Sequence, residues 1–271
     1  MNNRPIQHTN ILNKDECNYL DVTRFIGIYL VIMAHFIFSY RFKFLCDFIF
    51  TFHMPLFFII SGILHQVGGF TWKKLGKLVV ALIVPYLLYS LLALTYLWFT
   101  RGQNFDDLLV RTVNTLLVYR PVSVASWFLI ALFWIKFIAL FLPSRRAILI
   151  ASMACIVLIA VLDSFTSRED YAIIFMLRPA ILAFPFFGLG FLLKDFIHRE
   201  YRNRTKILIL VLLFAFNVFL FLQFGTLSIA LLNYNNLFVI YLMGTAGSLS
   251  VIYLSQLLAP YLNFNFIKDI S

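Results

Sequence analysis

Five ionisable side chains interrupt the long apolar runs of this chain: Arg24, His35, His53, Lys136 and Arg178. At bilayer depth each is costly, and such residues are read by default as functional, with a named partner. In "DVTRFIGIYLVIMAH" ten residues separate an arginine from a histidine. An interval of eleven positions returns to within about 20° of the same helix face and carries the imidazole about 16 Å along the axis. Asp21, three positions before Arg24, shares that side and is placed to pair with the guanidinium. The chemistry on offer is an oriented cation near one membrane surface and a base titrating near neutral pH about three turns deeper. A structural reading fits the spacing equally well: Arg24 anchors the helix among headgroups and His35 makes one interhelical hydrogen bond.

The stretch "FTFHMPLFFIISG" places His53 two residues before Pro55. Proline removes a backbone donor and frees the Thr51 carbonyl, and irregular backbone at this depth is tolerated where it is buried in protein or lines a wet cavity. Ser61 and Gly62 are small enough to let another helix approach closely. Arg178 also precedes a proline, in "FMLRPAILAFPFFGLGFLL". A cation there needs a carboxylate or a substrate anion, and Asp163 is the nearest acid available. Lys136 lies near mid-span, from where its long side chain can snorkel.

These residues need a frame, and composition supplies it. Of 271 residues, 62% are hydrophobic and only 13% charged, well beyond globular usage. The reading is an all-α, polytopic transmembrane helix bundle of about eight spans, near 21–40, 44–66, 76–99, 126–142, 146–163, 172–193, 206–224 and 236–259. Residues 1–20 form a polar N-terminal tail without the features of a signal peptide, and 21–271 form one membrane domain. Twelve Lys and Arg lie on the tail and on the loops after the second, fourth and sixth spans, against six on the opposite loops. That bias puts the N-terminus in the cytoplasm. It also accounts for the formal net charge of +10 without nucleic-acid binding, which would need a basic soluble domain. Cys17, Cys46 and Cys155 are too widely spaced for a metal or disulfide framework. The loop 101–125 reads as a polar outer loop, and uncharged "GTLSIALLNYNN" reads as a re-entrant or surface segment.

With these residues in place, the chain resembles the acyltransferase-3 family of integral-membrane acyltransferases over nearly its whole length. Arg24 and His35 match the family's arginine–histidine signature in the first span. "FHMPLFFIISG" resembles its second span, and "SWFLIALF" its Trp-Phe-Leu motif. "FPFFGLGFLL" and "YLMGTAGSLSVIYLS" resemble later spans. The family usually has about ten spans, so "NFNFIKDIS" resembles the linker before a final pair, and the chain reads as C-terminally truncated relative to the family.

The resemblance implies a bacterial cytoplasmic-membrane enzyme that moves an acetyl or other short acyl group from acyl-CoA to a hydroxyl of a surface or lipid-linked carbohydrate, with no metal. His35 is then the expected base, with a nucleophilic acyl-imidazole as the alternative. Arg24, oriented by Asp21, is expected to hold the donor. His53 and Arg178 are expected to donate to acceptor hydroxyls or to the oxyanion. Trp127 is expected to stack on a sugar, although composition alone favours a membrane-interface tryptophan. Two rival readings are a transporter or flippase that binds an anionic or sugar substrate at Arg178 and the broken second helix, and an inactive truncated family member.

Overall fold

The computed structural model describes residues 14–37, 42–101, 104–116, 126–165, 177–229, 232–234 and 236–262. Most of the N-terminal tail, the end of the 101–125 loop and the "NFNFIKDIS" segment lie outside the described residues. Helix α1 (Lys14–Ile32) runs on into a π-helical turn, Met33–Ile37. Helices α2 (Lys43–Phe50) and α3 (His53–Ile63) share one span. Helix α4 (Trp72–Leu78) continues through a π-helical turn, Val79–Ile83, into α5 (Val84–Arg101). Then follow α6 (Phe105–Leu116), α7 (Trp127–Ala139), α8 (Arg145–Phe165), α9 (Leu177–Ile197), α10 (Asn203–Phe224), α11 (Leu237–Leu258) and a closing 3-10 turn, Ala259–Tyr261.

The described parts of all eight expected segments are mainly helical, and the second is broken at Thr51–Phe52. Six stretches are long and apolar enough to cross a membrane: Lys43–Ile63, Trp72–Thr100, Arg145–Phe165, Leu177–Ile197, Asn203–Phe224 and Leu237–Tyr261. Helix α7 is apolar but shorter. The chain is an all-α polytopic bundle.

Two segments depart from the sequence reading. The 101–125 loop contains a helix, α6, whose first turn carries Asp106 and Asp107, where acidic groups favour the helix dipole. The Tyr86 hydroxyl ties this helix to α5 by donating to the Thr115 carbonyl at 2.6 Å. Of the two readings of the 225–236 segment, its described residues favour the re-entrant one over the surface one. Ser228 and Asn233 pair as an antiparallel bridge, and Leu227, Ile229, Leu232 and Tyr234 are buried.

Helix α3 lies at the centre, packed against α9, α11 and α1. Lipid is as apolar as leucine, so close backbone approach rather than water exclusion holds such helices together. A Cβ on Gly62 would fall 2.0 Å from the Phe187 carbonyl oxygen, and one on Gly190 would fall 2.1 Å from that of Ile59. The expected close approach at Ser61-Gly62 is therefore the α3–α9 contact. On the other side, Gly247 of α11 leaves room for the Phe52 ring, and the Ser248 hydroxyl lies 3.3 Å from the Phe52 carbonyl. The small face of α11 receives the break between α2 and α3.

Candidate functional site

The break in the second span positions His53. Helix α2 ends at Phe50, helix α3 begins at His53, and Phe52 between them has φ −135°. Pro55 sits in the first turn of α3, where a missing N–H leaves no intrahelical bond unmade. The carbonyls that end α2 are satisfied locally, as buried backbone acceptors must be. The Thr51 hydroxyl donates to the Phe48 carbonyl at 2.7 Å, and His53 Nδ1 donates to the Ile49 carbonyl at 3.0 Å. A carbonyl only accepts, so the Nδ1 of His53 carries its proton and Nε2 of the neutral ring presents a lone pair. With Nδ1 engaged at the Ile49 carbonyl, Nε2 is the nitrogen of His53 left for another partner.

His35 arrives from the end of α1. The first span is not a uniform α-helix, since Met33–Ile37 winds as a π-helix and changes the register assumed for the eleven-residue interval. Such turns recur at functional sites. His35 is partly buried and His53 is buried. Their ring centroids are 6.2 Å apart at an interplanar angle of 77°. Phe50 touches both, 5.2 Å from His35 and 5.4 Å from His53. An accessible imidazole thus stands in front of a buried one, with an aromatic ring beside the pair.

Toward the start of α1, Arg24 and Asp21 form the expected ion pair, Nη1 to Oδ1 at 2.8 Å. The guanidinium is also within electrostatic reach of Lys136 on α7. Lys136 in turn acts, with Lys74 and Lys194, on His65 just beyond α3. Lys74 bonds the Gly68 and Gly69 carbonyls. Among the described residues none of these three lysines has a carboxylate partner, and the ion pairs are Arg24–Asp21, Arg145–Asp195 and Arg178–Asp163. One end of the bundle therefore concentrates cations from α1, α4, α7 and α9. Sequence reasoning named Arg24 and Lys136 but did not join them to His65, Lys74 and Lys194, because the lysines read as ordinary loop charges.

Arg178 stands apart from this cluster. Its side chain is 0% exposed, and its Nη2 donates to Asp163 Oδ1 at 2.5 Å. The Tyr234 hydroxyl reaches the same oxygen at 3.1 Å. The carboxylate named as the nearest candidate is in place, and Arg178 is paired with it. The pair joins the end of α8 to the start of α9 and anchors the 225–236 segment. Trp127, expected to stack on a sugar, lies inside the bundle. It is 5% exposed, and its ring packs beside those of Phe58 and Phe128, each at 6.4 Å. Its faces are covered by protein.

A groove of about 680 Å³ between α8, α9 and α11 is lined by apolar side chains such as Leu149, Pro185, Phe186 and Leu237, with Tyr241 among them. None of the six expected site residues lines it. Among the described residues no group of three or more His, Cys, Asp or Glu is placed to hold a metal ion. Against known proteins, a family model described as an acyltransferase domain matches residues 18–271. No curated protein and no solved structure matches the chain.

Proposed function

Since the chain belongs to the acyltransferase-3 family and is an integral membrane protein, we propose that it transfers an acetyl or other short acyl group from acyl-CoA to a hydroxyl of a surface or lipid-linked carbohydrate. The observation that carries this reading is the partly buried His35 ring, on the same helix as the Asp21–Arg24 pair and against the broken second span. In the proposed reaction His35 takes the proton of the acceptor hydroxyl as its oxygen attacks the thioester carbonyl. The C–O bond forms and the C–S bond breaks, and the imidazolium returns the proton to the leaving thiolate. A positioned base of this kind contributes about 10²–10⁴-fold.

Coenzyme A carries several phosphate charges, and the cation-rich end of the bundle suits that part of the donor. Arg24, held by Asp21, faces it from α1, with Lys136, Lys74 and Lys194 nearby. Charge-assisted bonds from such groups are stronger than neutral ones. The excess of basic residues in the loops expected on that side supports reading it as the cytoplasmic end, with the N-terminus on the cytoplasmic side of a bacterial membrane.

The test is thiol release from acetyl-CoA by the purified full chain in lipid nanodiscs, with and without cell-envelope glycans as acceptor. Glycan-dependent release, with acetyl recovered on the glycan, is the expected result. Translocation of a substrate with the thioester intact would replace this reading with a transporter.

A further inference from the structure

Three helices meet at one depth around Tyr86. In the crossing Trp72–Thr100, Tyr86 lies nine positions from Lys77 and fourteen from Thr100. Those intervals are about 13 and 21 Å along the axis, so Tyr86 sits well inside a hydrocarbon layer about 30 Å thick. Its hydroxyl donates to the carbonyl of Thr115, in the last turn of α6, and its side chain clusters with Ile130, in the first turn of α7. Helix α6 starts at Phe105, just past the end of α5, and so runs back along α5 toward the middle of the bilayer. Helix α7 continues from that depth to the cation-rich end, where Lys136 lies within reach of Arg24 and Phe141 stacks on Phe70 at 5.0 Å. Its 13 residues cover about 20 Å, too little for a full crossing.

The faces of α6 sort by chemistry. Leu109, Val110 and Val113 are exposed and apolar, and they lie within about 60° of Val113 on the helix wheel. Asp107, Arg111 and Asn114 lie about 100–160° away from it. Asp106 falls on the apolar side, but only in the first turn, next to the end of α5. Arg111 is four positions before Thr115, about 6 Å from that depth. It is exposed, and among the described residues it forms no ion pair. An exposed charge so deep is costly against lipid and belongs in a water-filled space. The ends of two half-helices at this depth also leave backbone groups that lipid cannot satisfy. Tyr86 meets one of them, and the Thr115 hydroxyl is buried with no partner.

We propose that α6 and α7 are two halves of one interrupted crossing, and that the Asp107–Arg111–Asn114 arc lines a water-filled vestibule. It leads from the end opposite the cations to mid-bilayer depth and admits water and small polar solutes. This stands on α5, α6 and α7 alone and does not need the acyl-transfer reading. Under that reading the vestibule gives a hydroxylated acceptor a wet approach opposite the donor, since Trp127 at the head of α7 packs on Phe58 of the same helix as His53.

The test is side-specific labelling of the full chain in native membranes, with Cys17, Cys46 and Cys155 replaced by alanine. Leu109→Cys, Arg111→Cys, Val113→Cys and Asn114→Cys are exposed singly to a membrane-impermeant maleimide, with Lys73→Cys marking the cation-rich end. Only variants that elute as the parent protein after extraction are compared. Arg111→Cys and Asn114→Cys should react at least about tenfold faster than Leu109→Cys and Val113→Cys, because one arc faces water and the other lipid. They should react from the side opposite Lys73→Cys. Nitroxides at Leu109→Cys and Val113→Cys should meet oxygen rather than an aqueous nickel complex, with Val113 about 6 Å the deeper. Equal, fast labelling of all four positions overturns the proposal in favour of a helix on the outer surface. Unreactive Arg111→Cys and Asn114→Cys overturn it in favour of an arginine that snorkels from lipid. Nitroxides at one shared headgroup depth, or labelling from the Lys73 side, overturn it as well.

Discussion

The second span and the sixth expected span carry the same local signature, an ionisable residue beside a proline inside an apolar run. In one it is His53 with Pro55, in the other Arg178 with Pro179. The bundle uses them in opposite ways. Arg178 is enclosed with Asp163 and Tyr234, so its charge is met by carboxylate and hydroxyl and the group joins α8, α9 and the 225–236 segment. His53, at the start of α3, caps the end of α2, and its ring lies 6.2 Å from a partly buried imidazole on another helix. A buried charge with its counter-charge in place ties helices together. A buried neutral base beside an accessible one keeps an unused lone pair.

That contrast can be broken by mutation. The largest effect is expected at His35: His35→Ala should lower glycan-dependent thiol release by about 10²–10⁴-fold, with membrane insertion unchanged by protease mapping. Next comes Arg178→Ala, which should destabilise the bundle by about 3–5 kcal/mol by leaving the Asp163 carboxylate buried and unmatched. Its melting temperature in detergent would show this. A double variant, Arg178→Met with Asp163→Leu, should recover most of that loss and retain activity per folded molecule. Loss of activity in a folded double variant would restore Arg178 to the substrate site. Arg24→Ala should raise KM for acetyl-CoA about tenfold with a smaller change in kcat, matching removal of a hydrogen bond to a charged group worth roughly 1.5–3 kcal/mol. An unchanged KM would remove Arg24 from donor binding. The smallest effect is expected at Trp127→Phe, which keeps an aromatic ring beside Phe58. Stability should drop by about 1–2 kcal/mol, and KM for the glycan should stay constant.

Particular residues show how far the sequence could be read. The Asp21–Arg24 pair was legible because one helical turn brings the two together whatever surrounds them. The close approach at Gly62 was legible as an opportunity, though only the packed bundle names α9 as the helix that takes it. The tautomer of His53 was not legible, since it depends on how the chain turns at Thr51 and Phe52. The enclosure of Trp127 was also invisible, because a tryptophan at the start of an apolar run has the same composition whether it faces lipid, sugar or Phe58. Helix α6 was missed because its polar residues read as loop, while its amphipathic pattern gains a meaning only against the Tyr86 contact.

By itself the sequence determined that this chain lives in a membrane as helices, that Arg24 and His35 share the first of them, and that the second is interrupted at His53. Those facts follow from local rules: the hydrocarbon thickness, the helical repeat and the missing donor of proline. Only the tertiary structure decided which polar groups meet. Asp163 and Arg178 are fifteen residues apart, and His35 and His53 eighteen, with a helix boundary inside each interval. Their encounters depend on how the intervening backbone turns and how the helices pack, and no local rule of the chain carries that information.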